Sequence, residues 1–165
     1  MAKLEVLPKR VDVLDVNDSE SVFRINIDIL NEAFGVGRAM YAKAVYPDRK
    51  NSDIPGTKSG DRFIVWMPKL YGNSSEWKNV VSADGTEIYE VAEGDRTEDW
   101  IDEDSDLDVL RLVFVKDSAK SPYRFTGVFK SGKMEFCKHT YYRIATKARI
   151  VGNPVSKIEL LDDNR

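Results

Sequence analysis

Apolar residues in the first third of the chain follow the spacing of a helix. They recur at intervals of four, three and four residues, at Phe23, Ile27, Leu30 and Phe34. This spacing places the side chains on one face of an α-helix. Residues 17–20 (Asn-Asp-Ser-Glu) fit a capping box at its start, and Gly35 is a typical C-terminal stop. We therefore predict a helix between these signals, with its apolar face in the core.

The rest of the chain has the pattern of a series of β-strands separated by turn residues. The apolar or alternating runs lie at residues 62–67, 86–91, 109–115, 123–129, 140–151 and 156–161. A helical part followed by consecutive strands favours an α+β fold or a small barrel. We expect a single domain over residues 1–165, with a helical part at 1–60. A small, mostly antiparallel β-barrel at 61–161 would carry an acidic insert at 92–108.

The composition is that of one globular domain without disulfides. The 165 residues are 42% hydrophobic and include one cysteine, which supplies a core but no internal disulfide. No apolar run approaches the ~20 residues that a membrane helix needs. The N-terminal residues lack the apolar stretch of a secretory signal. We therefore expect a cytoplasmic protein that does not associate with a membrane.

Charge is distributed unevenly along the chain. The 28 acidic and 25 basic residues give a net charge of −3, which alone argues against an anionic partner. The blocks differ in sign, with −3 over residues 1–37, +4 over 38–81, −11 over 82–110, +8 over 111–151 and −1 over 152–165. A local basic field can attract an anionic partner whatever the total charge. An ordinary solvated surface with an acidic loop would show the same pattern.

The sequence offers little support for catalysis or metal binding. Cys137 would share a face with His139 if both lay on a strand, but no third group completes a catalytic set. One Cys and one His are too few for structural zinc, and the acidic segment lacks the glycine and distal Glu of an EF-hand. We expect no cofactor, no metal and no catalytic residue.

Two alternatives remain open. Asp61 followed by Glu76-Trp77-Lys78 fits the acid and Glu-x-Lys pattern with which restriction-type nucleases hold magnesium and activate water. Acid-x-Lys triplets are, however, common by chance in a chain this rich in acids and lysines. The acidic block could instead dock on a basic partner or mimic DNA, as in an anti-defence module.

Aromatic and basic residues are interleaved in the two basic blocks, a combination used to stack exposed bases and contact phosphates. Trp66, Tyr71 and Trp77 flank a Pro and Gly-Asn-Ser-Ser loop beside Lys69 and Lys78. Strands also prefer aromatic residues for packing alone. Trp66 therefore fits the core at least as well as a binding site.

The run at 140–151 places several cations on one predicted strand face. By period two, this face carries Tyr141, Arg143, Ala145, Lys147 and Arg149. Three cations on one face cannot be core, because burying unpaired charge is too costly. The face must meet water, acids or an anionic ligand, and the acidic insert is one candidate for neutralising it.

Three segments together resemble a known family. They are Arg-Phe-Ile-Val-Trp-Met-Pro-Lys at 62–69, Tyr-Arg-Phe-Thr-Gly-Val-Phe at 123–129 and Tyr-Arg-Ile-Ala-Thr at 142–146. Over about residues 60–151, this order resembles the PUA-like β-barrel domains, which include the SRA and EVE domains. It resembles most narrowly the modified-base-reading modules of bacterial restriction endonucleases.

The resemblance implies a DNA-binding module that flips a modified cytosine, methylated or hydroxymethylated, into a pocket between aromatic side chains. Matching positions make Trp66, Tyr71 and Trp77 candidates for stacking, and Lys69, Arg124, Arg143 and Lys147 candidates for phosphate contacts. Asn73, Asp61 and Asn79 lie near the loops that would read the base edge. The partner would be DNA in a restriction system, with a fused or separate nuclease domain.

Overall fold

The computed structural model describes residues 9–36, 45–46, 54–55, 62–72, 77–93 and 109–162. Its strands are β1 (Val13–Asp15), β2 (Val22–Phe23), β3 (Val45–Tyr46), β4 (Ile54–Pro55), β5 (Arg62–Trp66), β6 (Trp77–Val81), β7 (Glu87–Ala92), β8 (Leu110–Lys116), β9 (Tyr123–Glu135), β10 (Lys138–Ala145), β11 (Lys147–Val151) and β12 (Lys157–Leu160). A 3-10 turn spans Ser19–Ser21, and helix α1 (Asn26–Asp28) continues as a π-helical turn at Ile29–Ala33. None of these helical segments has the length and apolarity of a membrane span.

The N-terminal helix is shorter than the apolar spacing predicts. Phe23 lies in β2, which pairs with the start of β9, and the helix begins only at Asn26. The Asp18 carboxylate accepts the N–H of Glu20, so it caps the 3-10 turn and not the helix that follows. Pairing with a distant strand therefore replaces the first turn of the predicted helix. Gly35 follows the last turn with φ +66°, as predicted, and the predicted apolar face contributes buried residues: Phe23, Leu30 and Phe34.

Strands occur at all six predicted runs, and they form two sheets. The small sheet has the order β1-β11-β12, and the large sheet runs β3-β5-β8-β9-β10-β7-β6, with β2 on β9 and β4 on β5. The β5–β8 pair is parallel, whereas the other described pairs are antiparallel. Strand β6 was not predicted, because Trp-Lys-Asn-Val-Val does not alternate.

The fold is mostly β with one short helix, in keeping with the α+β expectation, but the barrel is not confirmed. Among the described strands, no pairing joins β3 to β6, the two ends of the large sheet. Near these ends, Asn79 Nδ2 on β6 donates to the carbonyl of Lys69, which follows β5, at 3.4 Å. The two sides of the sheet therefore approach each other, but the described strands do not close it by backbone pairing.

The central strands of the large sheet are buried on both faces. Along β8, Leu110, Leu112 and Phe114 enter a first core that the helix and the small sheet cover. The alternate residues Val113 and Val115 enter a second core. Side chains of successive residues point to opposite faces of a strand. A strand buried on both faces must therefore be apolar at nearly every position, as β8 is.

A β-bulge in β9 allows its aromatic residues to reach both cores. Val113 pairs with Gly127 and Phe114 with Phe125, so Thr126 is an extra residue in β9. Phe125 packs in the first core and Phe129 in the second, although they are four residues apart. Without the bulge, both side chains would lie on one face.

The predicted strand at 140–151 is wrong in extent, because it breaks at Thr146. Strand β10 belongs to the large sheet and β11 to the small one. The Asp162 carboxylate accepts the N–H of Thr146 at 3.0 Å and that of Lys147 at 2.9 Å. A side chain thus supplies the backbone partners at the break.

The predicted row of cations is consequently divided between two sheets. Lys147 and Arg149 are exposed on β11 of the small sheet, whereas Tyr141 and Arg143 lie on β10 of the large sheet. Lys147 lies 3.9 Å from an Asp15 oxygen, and Arg149 lies 3.4 Å from Glu159. Adjacent strands therefore supply acids to these two cations.

We expect Phe114→Ala to destabilise the fold by about 3–5 kcal/mol, because it removes a fully buried ring. Phe114 contacts the rings of Phe23, Phe34 and Phe125 at centroid distances of 5.7, 6.1 and 5.3 Å. Urea unfolding measures the loss. Phe136→Ala is the matched control, since Phe136 is 67% exposed, and it should change stability by less than about 0.5 kcal/mol. Equal losses in the two variants would contradict this description of the core.

Candidate nucleic-acid interface

One end of the large sheet gathers five of the predicted site residues. Strands β5 and β8 are parallel, and β9 and β10 alternate in direction, so the end of β5, the start of β9 and the end of β10 lie together. Lys147 begins β11, two residues after the end of β10. We call this region the cationic end, defined by Lys69, Tyr71, Arg124, Arg143 and Lys147.

The other predicted residues are elsewhere or outside the described part of the chain. Trp77 begins β6 at the opposite end of the sheet, opposite Ala92, and its side chain is not described. Asn73, Asp61 and Glu76 also lie outside the described residues. Of the predicted nuclease residues, the structure describes Lys78, which is exposed on β6.

A polar groove of about 350 Å³ opens at the cationic end. Its walls come from the β6–β7 turn, the segment after β1 and the facing parts of β9 and β10. The polar lining residues are Asn17, Ser82, Asp84, Arg124, Thr126, Arg143 and Thr146. Two predicted phosphate contacts, Arg124 and Arg143, therefore share one recess.

Both groove arginines are oriented by hydrogen bonds. Arg124 donates from Nε and Nη2 to the two carboxylate oxygens of Asp117 at 2.8 and 3.1 Å, and this hydrogen bonding lowers the pKa of Asp117. Arg143 Nη1 donates to the Thr126 carbonyl at 3.3 Å. A guanidinium carries five N–H donors, so these contacts use only part of its capacity.

The carboxylate of Asp84 is fixed in the wall of the groove. Its Oδ1 accepts hydrogen bonds from Ser82 Oγ and from the N–H and Oγ1 of Thr86, at 2.8, 3.1 and 2.7 Å. These bonds, those from Thr86 foremost, lower the pKa of Asp84 to about 2. The groove therefore presents one permanent anion beside two permanent cations. The Asp84-Gly85 pair signalled a turn in the sequence, but not that the turn lines a groove.

Trp66 lies in the interior of the second core. It is 5% exposed, and its ring centroid is 5.0 Å from that of Tyr141. The guanidinium carbon of Arg111 lies 5.3 Å from the Trp66 ring centroid and 4.8 Å from that of Tyr141. Trp66 therefore lies where its interpretation as a core residue predicts.

Arg111 was not among the predicted site residues, although a cation inside an apolar strand run indicates an unusual position.

A polar network continues along this core through His139. The imidazole is buried and stacks on Tyr141 at 4.1 Å, and its Nε2 lies 2.7 Å from Ser131 Oγ. Tyr141 donates its hydroxyl proton to Glu90 Oε1 at 2.8 Å. Burial, together with the nearby charge of Arg111, lowers the pKa of His139 to about 4. The imidazole is therefore neutral at pH 7.

Cys137 and His139 do not share a strand face, because Cys137 is not in a strand. Residues 136–137 form the two-residue turn between β9 and β10, and Cys137 has φ +63°. Only His139 points into the second core. Within the described ranges, no group of three His, Cys, Asp or Glu side chains is placed to hold a metal ion.

The fold and the groove define a β-rich binding domain with guanidinium and carboxylate groups in one recess. The SRA family, described as the SET and RING associated domain, matches residues 12–150. The chain therefore belongs to the SRA family. This confirms the resemblance to SRA-type modified-base-reading domains that the sequence segments carry.

A solved structure has the same fold. It is that of the 5-hydroxymethylcytosine-specific restriction enzyme AbaSI, with a TM-score of 0.64 and 21% sequence identity. The match covers 84% of this chain but only 42% of the AbaSI chain, so this chain spans less than half the length of that enzyme. At this identity the likeness concerns the fold alone. None of the curated proteins matches the sequence.

The buried imidazole predicts a specific pH dependence of stability. An unfolded histidine takes up a proton near pH 6.5, whereas burial delays protonation of folded His139 until its pKa of about 4. The unfolded state therefore binds more protons, and stability falls as pH decreases between these values. Between pH 6.5 and 5, we expect a slope of up to about 1.4 kcal/mol per pH unit. Urea unfolding should show this slope in the wild type and lose it in His139→Gln, and an unchanged slope would contradict the assignment.

Proposed function

We propose that this domain binds DNA and recognises a modified cytosine, as the reading part of a restriction system. Membership of the SRA family supports DNA binding. The observation that carries the proposal is the groove at the cationic end, where two oriented guanidiniums and a fixed carboxylate surround one recess. AbaSI is named for 5-hydroxymethylcytosine, so that base and 5-methylcytosine are the first ligands to test.

The size and polarity of the groove suit a single extruded nucleotide. Pockets for small ligands have volumes of about 300–1,000 Å³, and the groove lies at the lower end of that range. A base inside a duplex cannot reach a recess of this kind. The target nucleotide would therefore leave the base stack, as in other proteins that bind a flipped base.

The cations around the groove would contact the sugar-phosphate backbone. Lys69 and Lys147 are exposed at the cationic end, whereas Arg124 and Arg143 line the groove itself. Contacts to phosphate supply most of the affinity and fix the register, while base contacts supply the preference for one site.

Aromatic stacking remains a proposal for the residues beside the loop after β5. Tyr71 is half-buried at the cationic end and lies close enough to Tyr123 to raise the pKa of that phenol, after the larger effect of burial. Trp77 and Asn73 keep their proposed roles in stacking and base reading. Trp66 would act from the interior by supporting the second core.

The chain would form one domain, with cleavage by a separate or fused nuclease domain.

We expect modified duplexes to bind about tenfold or more tightly than the plain duplex of the same sequence. Fluorescence anisotropy with plain, 5-methylcytosine and 5-hydroxymethylcytosine duplexes measures the ratio at fixed salt. Added salt should weaken binding of all three, because binding releases counterions from the phosphates. Equal affinity for the modified and plain duplexes would contradict modified-base recognition.

Lys147→Gln should weaken binding to all duplexes alike, and it should reduce the slope of log affinity against log salt by about 1. The matched control is Lys157→Gln. Lys157 is a half-exposed cation on β12, paired with Val151 at the far end of β11 from Lys147. This control should leave affinity and slope unchanged. Equal effects of the two substitutions would contradict a phosphate contact at the cationic end.

A further inference from the structure

Two of the segments that carry the family resemblance, at 123–129 and 142–146, pair as neighbouring parts of β9 and β10. Thr126 and Gly127 form the bulge of β9, and the Arg143 side chain extends from β10 toward them. The β9–β10 register also shifts here, because Arg143 pairs with Phe129 but Ala145 with Val128. Bulges commonly redirect a side chain near a functional site. The side chain redirected here is that of Arg143.

Gly127 leaves the space through which the Arg143 side chain passes. A Cβ atom at position 127 would lie 2.5 Å from Arg143 Cδ and 2.9 Å from its Cγ. Both distances are far below van der Waals contact. Any other residue at this position would therefore push the arginine out of its path.

Two further groups confine the guanidinium at the end of this path. The Thr126 carbonyl accepts from Nη1 at 3.3 Å, and a Cβ atom at Gly85 would lie 3.2 Å from the same nitrogen. We call Gly85, Thr126 and Gly127 the arginine cradle. Its members come from the β6–β7 turn and from the β9 bulge, so it forms only in the folded sheet.

Backbone conformation alone does not account for the cradle. Gly127 and Gly85 have φ values of +131° and +75°, which favour glycine in any case. Gly72 has φ +56°, yet a Cβ atom there would meet nothing within 4 Å. The close approach of Arg143 to two glycines is therefore a separate feature of this site.

We infer that the cradle is a positioning device that holds the Arg143 guanidinium in the groove, against the phosphate that flanks the nucleotide seated there. This inference rests on the proposed function. A donor fixed in advance loses little conformational entropy on binding, but it contributes only when its ligand reaches that one place. That place is occupied only when the target nucleotide is seated in the groove. Arg143, unlike a phosphate contact outside the groove, therefore adds to the preference for the modified site, whereas an exposed lysine such as Lys147 adds to the binding of any DNA.

The test is a double-mutant cycle between Gly85→Asn and Arg143→Gln. Asparagine tolerates positive φ, so Gly85→Asn keeps the turn while adding a Cβ atom beside Nη1. Each single variant should lower the ratio of modified to plain affinity by about tenfold, the effect of losing one charge-assisted hydrogen bond that forms only with the seated nucleotide. The double variant should lose no more than Arg143→Gln alone. The control cycle of Gly85→Asn with Lys147→Gln should be additive.

A second variant keeps the test decisive if Gly85→Asn does not fold. Arg143→Lys should lose as much of the ratio as Arg143→Gln, because an ammonium group lacks the planar fork that the cradle holds. Additive effects in the first cycle, or a ratio preserved in Arg143→Lys, would overturn the inference.

A readout without DNA separates this inference from the proposed function. Restricted rotation in the cradle should give Arg143 distinct Nη signals in NMR spectra of the free wild type, and these should merge in Gly85→Asn. Merged signals in the wild type would overturn the cradle even if modified DNA is preferred. Distinct signals together with equal affinity for all duplexes would instead overturn the proposed function.

Discussion

The burial of the central strands of the large sheet on both faces is the constraint on which the rest of the structure depends. Alternate residues of β8 enter two different cores, so a slip of one residue would exchange every side chain between them. The bulge at Thr126 is the point where β9 changes face and still satisfies both cores. The same bulge turns the Thr126 carbonyl toward Arg143. A packing requirement and a feature of the groove therefore arise from one irregularity.

The strands were largely predictable because their apolar runs are strong local signals. The errors have long-range causes. Pairing with β9 removes Phe23 from the helix, and Asp162, sixteen residues beyond Thr146, supplies the hydrogen bonds that end β10. No window around residue 146 contains that information. Whether a sheet closes into a barrel likewise depends on pairing between strands that are distant in sequence, such as β3 and β6.

The site was predictable only in part, and for the same reason. Arg124 and Arg143 were candidates because they lie in the segments that resemble the family, and Arg143 also because of the cations on its predicted strand face. The structure brings both to one groove. Asp84 reads locally as a turn residue, and Arg111 and His139 reveal their burial only through their neighbours in the sheet. Residue type could thus suggest which side chains contact a ligand, but not which other residues line the groove around that ligand.

Nearby acidic side chains pair with cations of the cationic end, but these ion pairs are weak. Arg124 pairs with Asp117, and Lys147 lies near Asp15, in each case with partly exposed side chains. Surface ion pairs of this kind contribute about 0–1 kcal/mol each. DNA phosphates can therefore replace these partners at little cost. A net charge of −3 is consistent with DNA binding on this account, because the relevant charges are local.

Hydrogen exchange in the presence of DNA tests most directly where the ligand binds. Addition of a duplex with a single 5-hydroxymethylcytosine should slow exchange of the amides at 82–87 and 143–147, which border the groove. The turn at 136–137, at the opposite end of the sheet, should exchange as in the free protein. Slowed exchange confined to that turn, with the groove unaffected, would contradict the assignment of the site to the cationic end.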